Sequence, residues 1–178
     1  DRALDANTTG GGNTAIGASA LGANTTADGN TAIGDNALLL NTTGASNVAI
    51  GQSALDANTT ASSSVAVGAG ALGASNSGYQ NVAVGTTSLS AVTGGTNNVG
   101  VGHNAGDALT TGGHNTYVGN AVASYSTATG NNNTGVGSAS LYSLTSGYNN
   151  TAVGYVAGYD MTSGFENVLA GIDAGQNL

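Results

Sequence analysis

Histidine and cysteine carry most nucleophilic and acid–base chemistry near neutral pH, and this chain contains few of them. Its 178 residues include two histidines and no cysteine. His103 and His114 are eleven residues apart and occupy different positions of the repeat described below. We therefore predict no catalytic residues and no enzymatic activity.

The carboxylates are the next candidates, because Ca²⁺ binds oxygen ligands. The acidic side chains number nine against a single basic residue, Arg2, and give a net charge of -8. Six aspartates are scattered over several repeat positions, namely Asp28, Asp35, Asp56, Asp107, Asp160 and Asp173. The Gly- and Asp-rich nonapeptide of calcium-binding β-rolls is absent. We predict no metal site and no cofactor.

Two short motifs have a structural explanation as well as a functional one. The segment GVGHNAG at 100–106 is rich in glycine, but no lysine follows it, so we interpret it as a turn and not as a phosphate loop. Glycosylation sequons begin at Asn7, Asn24, Asn41 and Asn58. Turns favour the same Asn and Thr residues, and we favour that explanation.

The aromatic residues are concentrated in one part of the chain. Of seven Tyr and one Phe, only Tyr79 precedes residue 115. Tyr142 and Tyr159 share one repeat position, and Tyr148 and Phe165 share another, so each pair is predicted to stack. These four residues are our candidate receptor contacts. The alternative is that they broaden or cap the molecule beside a following domain.

A repeat of seventeen residues must position all these side chains. Its core element reads Asn, Thr or Val, a small residue, Ile or Val, then Gly. The copies begin at Asn13, Asn30, Asn47, Ser64, Asn81, Asn98, Asn115, Asn133, Asn150 and Asn167. Only the step from Asn115 to Asn133 is eighteen residues, and its extra residue requires a turn or a bulge.

Each position of the repeat has its own composition. The fifth is always Gly, which indicates a conformation or a close approach that a Cβ would obstruct. The fourth runs from Ile16 to Ala170 and is predicted to form the core. The small third position, with Tyr117 and Leu169 as exceptions, is predicted to face outward and to contact identical chains.

The second half of the repeat contains an apolar Ala-Leu pair, followed by an Asn-Thr-Thr-Gly segment typical of turns. Each unit is therefore predicted to consist of a strand, a turn, a short strand and a second turn. Seventeen residues at about 3.3 Å make a circuit of roughly 56 Å, which suits one coil of a β-solenoid. In-register Asn and Thr side chains can hydrogen-bond along such a stack. We predict an all-β parallel β-solenoid of about ten coils, forming one repeat domain over 1–178 that is a fragment of a longer fibrous protein.

Composition excludes several partners and favours one. Nucleic acids and anionic membranes require Lys and Arg, and the chain has one such residue. No apolar run of 18 residues could span a bilayer. Large apolar side chains are few, and a thin stack is marginal on its own. A homo-oligomer is therefore expected.

The segments NTAIGDNALLLNTTG and NTAVGYVAGYDMTSG resemble the seventeen-residue arrays of phage and viral tail-fibre-like proteins. The NVAIG element is also similar to that of YadA-like heads of trimeric autotransporter adhesins. The resemblance implies a left-handed β-roll of three chains that projects from a cell or a virion. The repeat here is longer than the roughly fourteen residues usual in adhesin heads.

The expected function is a non-enzymatic, extracellular, cell-surface or virion fibre segment. It would act as a rigid spacer and an adhesive rod that attaches to a host glycan, matrix or protein surface through multivalent contacts. The alternative is a self-assembling filament without a receptor. A third hypothesis is an ice-binding protein, which would need a flat array two threonines wide. Adjacent threonines such as Thr25 and Thr26 should point to opposite faces of a strand, which argues against this hypothesis.

Overall fold

The computed structural model describes residues 2–75 and 77–176 as a single stack of coils. Ten strands of three residues each form one sheet in chain order. The strands are β1 Thr14–Ile16, β2 Thr31–Ile33, β3 Val48–Ile50, β4 Val65–Val67, β5 Val82–Val84, β6 Val99–Val101, β7 Thr116–Val118, β8 Thr134–Val136, β9 Thr151–Val153 and β10 Val168–Ala170.

Neighbouring strands pair in parallel, with each residue opposite its counterpart in the next copy of the repeat. Thr14 lies opposite Thr31, for example. The eighteen-residue coil keeps this register, since Thr116 pairs with Thr134, so the extra residue lies outside the strands. The predicted all-β parallel solenoid is confirmed, with about nine turns and no helix within the described residues.

Within the described residues, the second half of each coil consists of turns with isolated bridges such as that between Leu109 and Ala128, and the predicted short second strand is absent there. The Leu at its centre has a positive φ in coil after coil, as at Leu21 (52°) and Leu38 (52°). Ser19, two residues before Leu21, is also left-handed, at 55°. A strand needs consecutive extended residues, and two left-handed residues so close together reverse the chain instead.

The prediction of the inner and outer faces of the strands is wrong. The small middle residue of each strand faces the core, and Ala49 is fully buried. The branched residue after it, which we expected inside, points outward: Ile16 is 60% exposed and Ile50 is 37% exposed. The strands do alternate as expected, but the opposite set of side chains is enclosed.

The narrow interior of the coil explains this inversion. Leu21, Leu38, Leu55, Leu72 and Leu89 enter from the turn side and are fully buried in the same cluster as the strand alanines. Close packing leaves room for only one large side chain between the two walls of a coil. Because the leucines fill that space, the strand must supply small residues.

The invariant glycine after each strand has the role predicted for it. Gly17 has φ +130°, and a Cβ there would lie 2.4 Å from the carbonyl oxygen of Gly34 in the next coil. Both the backbone conformation and the close approach of successive coils therefore require glycine.

Candidate functional site

The residues first considered for catalysis and metal binding are dispersed over the surface. His103 and His114 are both exposed, and the nearest polar partner of His103 Nδ1 is Asn120 Nδ2, at 3.3 Å. In the described ranges, no group of three or more His, Asp or Glu side chains could hold a metal ion.

One wall of the solenoid presents a continuous surface that we call the strand face. It consists of the first and third side chains of every strand, and all are Thr, Val, Ile or Ala. Its members are Thr14, Ile16, Thr31, Ile33, Val48, Ile50, Val65, Val67, Val82, Val84, Val99, Val101, Thr116, Val118, Thr134, Val136, Thr151, Val153, Val168 and Ala170. None is buried and none is charged.

Parallel in-register pairing makes the strand face regular. Equivalent side chains follow one another along the axis at the strand spacing of about 4.8 Å, in two files. The strand face is about as large as the largest apolar patch of a typical monomer, and such patches often have a function. Val84, in the middle of the face, remains 39% exposed.

A ladder of buried asparagines holds the strands in this register. Asn115 donates from Nδ2 to Asn98 Oδ1 at 3.1 Å and to the Gly130 carbonyl at 2.9 Å. Its own Oδ1 accepts from the Asn133 backbone N–H at 2.8 Å. Each amide therefore joins three coils and satisfies buried backbone groups in two of them.

A second asparagine ladder occupies the sequon positions. Asn24, Asn41 and Asn58 are fully buried. Asn58 Nδ2 donates to Asn41 Oδ1 at 2.8 Å, and Asn41 Nδ2 donates to Asn24 Oδ1 at 3.2 Å. The structural interpretation of these sequons is confirmed, because the amide nitrogens are engaged inside the fold.

The predicted aromatic stacks are present. The ring centroids of Tyr142 and Tyr159 are 4.8 Å apart with planes at 8°, and those of Tyr148 and Phe165 are 5.2 Å apart at 5°. Tyr125 joins the first stack, 5.4 Å from Tyr142 and tilted by 30°. We missed this third ring because it lies in the irregular eighteen-residue coil, although it precedes Tyr142 by seventeen residues.

The stacks determine which part of each ring a ligand could reach. Within each stack the faces that meet are covered, whereas Tyr159 and Phe165 have a ring contact on one side only among the described residues. A receptor could therefore contact ring edges along the stack and the outer face of Tyr159. Phe165, 56% exposed, offers an apolar surface without a hydroxyl.

Other apolar side chains widen the strand face at β9 and β10. Tyr148 and Phe165 each lie three residues before a strand, and Tyr155 and Ile172 each lie two residues after one. All four are exposed. At the other coils these flanking positions carry small or polar residues except at Tyr79, which lies three residues before β5 and is 51% exposed, so the widening is greatest at β9 and β10.

The threonine pairs do not build a flat array two residues wide. Thr42 is half-buried, and its hydroxyl donates to the Thr59 carbonyl at 3.0 Å, whereas Thr43 is exposed. The two members of a pair therefore have different environments, as expected from their adjacent positions.

Comparison with known proteins gives no relative from which a function could be transferred. No family model, curated protein or solved structure matches the chain. Among the described residues there is no helix long and apolar enough to cross a membrane.

Proposed function

We propose that this chain is a non-enzymatic segment of a surface fibre in which three copies associate through their strand faces as a left-handed β-roll. The segment acts as a rigid spacer and an adhesive rod outside a cell or on a virion. The handedness, the number of chains and the extracellular location rest on the sequence resemblance. The uncharged, exposed strand face is the observation that supports association.

The composition of the strand face is that of an interface core. Charged residues are depleted at the centres of protein interfaces, and this face has none along ten strands. In the isolated chain, Ile16 and Val168 are 60% and 80% exposed. Neighbouring chains would remove these side chains from water.

The size of the strand face requires its flanks to take part. Ten strands at about 4.8 Å give a length of roughly 43 Å, and two files of side chains give a width of about 12 Å. The resulting area of roughly 500 Å² is below the ~800 Å² per partner of a standard interface. The exposed residues beside the strands, above all Tyr148, Tyr155, Phe165 and Ile172, supply further area.

Adhesion would be multivalent. Three identical chains each present the stacked pair Tyr142 and Tyr159 to a receptor surface, whereas Tyr148 and Phe165 contribute to the interface between chains. Weak contacts to a glycan or a protein then add through a high effective concentration. A stiff rod favours this effect because it holds the copies at fixed separations.

Sedimentation equilibrium and surface-binding assays test the proposal together. We expect the purified chain to sediment as a trimer and to bind host glycans, matrix proteins or cells. Tyr142→Ser with Tyr159→Ser should weaken that binding without changing the mass of the assembly. A monomer at all concentrations, or end-to-end filaments that bind no surface, would contradict the proposal.

A further inference from the structure

Three tyrosines in successive coils lie within ring contact, which is an arrangement that permits covalent chemistry. Tyr142 and Tyr159 are nearly parallel, at 8°, with their centroids 4.8 Å apart. Parallel rings at this separation bring the carbon atoms ortho to one hydroxyl near the partner ring. We propose that Tyr142 and Tyr159 form a site of oxidative coupling, where a one-electron oxidant joins them as dityrosine.

The coupling reaction balances with an oxidant of the peroxide-dependent peroxidase class or a photochemical equivalent. Each phenol loses one electron and one proton to become a phenoxyl radical. The two radicals combine through a bond between Cε of Tyr142 and Cε of Tyr159. The hydrogens on those carbons then move through solvent to the oxygens, which restores both rings. One hydrogen peroxide accepts the two electrons and two protons and leaves as two waters.

The site is selective because no tyrosine outside the Tyr125–Tyr142–Tyr159 stack has another tyrosine ring as its partner among the described residues. Tyr79 and Tyr155 make no ring contact with another tyrosine among the described residues. Tyr117 is fully enclosed in the core, beyond the reach of an oxidant. Tyr148 is stacked, but its partner is Phe165, whose ring has no hydroxyl to oxidise.

Accessibility and geometry both favour the Tyr142–Tyr159 pair within its stack. Both rings are half-buried, so each is partly accessible to an oxidant in solvent. Tyr125 is more exposed, but its 30° tilt and 5.4 Å separation align it less well with Tyr142. Tyr125 is then a secondary partner and a relay that passes its radical to Tyr142.

The bond would be a covalent connection along the fibre axis. Successive coils are otherwise joined by hydrogen bonds and packing, as where the Ser143 N–H donates to the Tyr159 carbonyl at 3.0 Å. A carbon–carbon link between positions seventeen residues apart prevents these two coils from separating. A cross-link that closes a loop also lowers the entropy of the unfolded chain.

The test uses the whole chain at high dilution, illuminated briefly with a ruthenium trisbipyridyl complex and persulfate. We expect dityrosine fluorescence, a mass lower by two hydrogen atoms, no covalent dimer on a denaturing gel, and peptides that map the link to Tyr142 and Tyr159. The midpoint of thermal unfolding should rise after the reaction. The same treatment of the urea-unfolded chain should scatter the links among the tyrosines.

Conservative variants decide the outcome because they retain the rings and hence the fold. Tyr142→Phe should abolish the intramolecular product, Tyr155→Phe should leave its yield unchanged, and Phe165→Tyr should add a second link to Tyr148. Far-UV dichroism confirms that each variant is folded. If the folded wild-type chain gives no intramolecular link, or gives the scattered links of the unfolded chain, or if Tyr142→Phe retains the product, the proposal is wrong.

Discussion

At the scale of single residues, a small side chain on the turn side of the core is matched by a large one on the strand side, so the enclosed volume of each coil stays filled. In most coils the turn carries a Leu, and the strand residue eleven positions later is small. At Gly106 the turn residue is small instead, and the strand residue eleven positions later is the large Tyr117. Gly158 and Leu169 repeat the exchange. A Cβ on Gly106 would lie 2.6 Å from Tyr117 Cδ2, so the two positions share one space. Tyr117 and Leu169, the two large residues at the otherwise small third position of the repeat, therefore have a common cause.

This exchange predicts strong coupling between Tyr117 and Gly106. Tyr117→Ala should leave a cavity and cost about 3–5 kcal/mol, and Gly106→Leu should clash with the phenol ring. The double variant should recover most of the stability, because it recreates the Ala and Leu arrangement of the other coils. The backbone at Gly106, with φ +65°, is close to that of Leu89 at 50°. Urea unfolding of all four proteins measures the coupling, and additive losses would contradict it.

The phenol of Tyr117 illustrates the cost of that exchange. Its hydroxyl is buried without a hydrogen-bond partner. Burial raises the pKa of Tyr117, and the nearby Asn133 side chain offsets only part of the rise. Tyr117→Phe should therefore stabilise the chain by about 1 kcal/mol, since an unsatisfied buried polar group costs about 1–3 kcal/mol. Lower stability of this variant in thermal unfolding would show that the hydroxyl is favourable where it lies.

The asparagine ladder permits a graded test at one position. Asn115→Ala should cost about 2–6 kcal/mol, because the Asn133 N–H and the Gly130 carbonyl both lose a buried partner at about 1–3 kcal/mol each. Asn115→Ser should cost less. Ser64 occupies the same repeat position, and its Oγ accepts from the Asn81 N–H at 3.2 Å. Equal losses for the two variants in denaturant unfolding would argue against the ladder as the source.

At the scale of secondary-structure elements, each strand has an inner residue that determines folding and two outer residues available for association. β5 shows the contrast, since Ala83 is fully buried whereas Val84, next to it, is 39% exposed. Neighbouring positions on one strand should therefore respond to the same substitution in opposite ways.

Lysine substitutions on β5 separate the two roles. Val84→Lys should leave the far-UV spectrum and monomer stability within about 0.5 kcal/mol of wild type, as surface changes usually do, and should abolish the proposed trimer by placing a charge in its interface. Ala83→Lys should unfold the chain, because the ammonium would be enclosed in the core. Sedimentation and circular dichroism distinguish the outcomes. A trimeric Val84→Lys variant would remove the strand face from the proposed interface.

At the scale of the whole molecule, the charge is almost entirely acidic. Nine carboxylates and one arginine give a net charge of -8. Desolvation raises the pKa of Asp56, and hydrogen bonds that include one from its own backbone offset part of the rise. Desolvation also raises the pKa of Asp107, again partly offset by backbone hydrogen bonds. Asp107 Oδ1 is also buried without a partner. Both groups hold a proton more tightly in the folded chain than in the unfolded one.

This difference predicts that mild acid stabilises the rod. A raised folded-state pKa means that the folded chain binds more protons, so stability falls as the pH rises above the unfolded-state pKa of about 4 and through the folded-state pKa. Self-repulsion of the net charge acts in the same direction. The thermal midpoint should therefore be higher near the lower pH. Asp56→Asn with Asp107→Asn should flatten the profile, whereas Asp35→Asn, at an exposed site, should change it less. A midpoint that rises toward neutral pH would contradict this assignment.

The period, the parallel pairing, the register and the stacking of Tyr142 on Tyr159 follow from the sequence alone. An exact repeat places equivalent residues one above another, and hydrogen bonds between successive coils do not depend on distant parts of the chain. Even the glycine column could be assigned from its composition, since few causes other than backbone geometry exclude every side chain.

Only the tertiary structure decided which side of each strand is the inside. Alternation along a strand is symmetric, so Ala49 and Ile50 could have exchanged roles without altering the pattern. The choice depends on the volume remaining after the leucines of the turns enter the coil, which is a property of two walls packed together. The same volume explains Tyr117 opposite Gly106, and it leaves the branched side chains of the strand face on the outside.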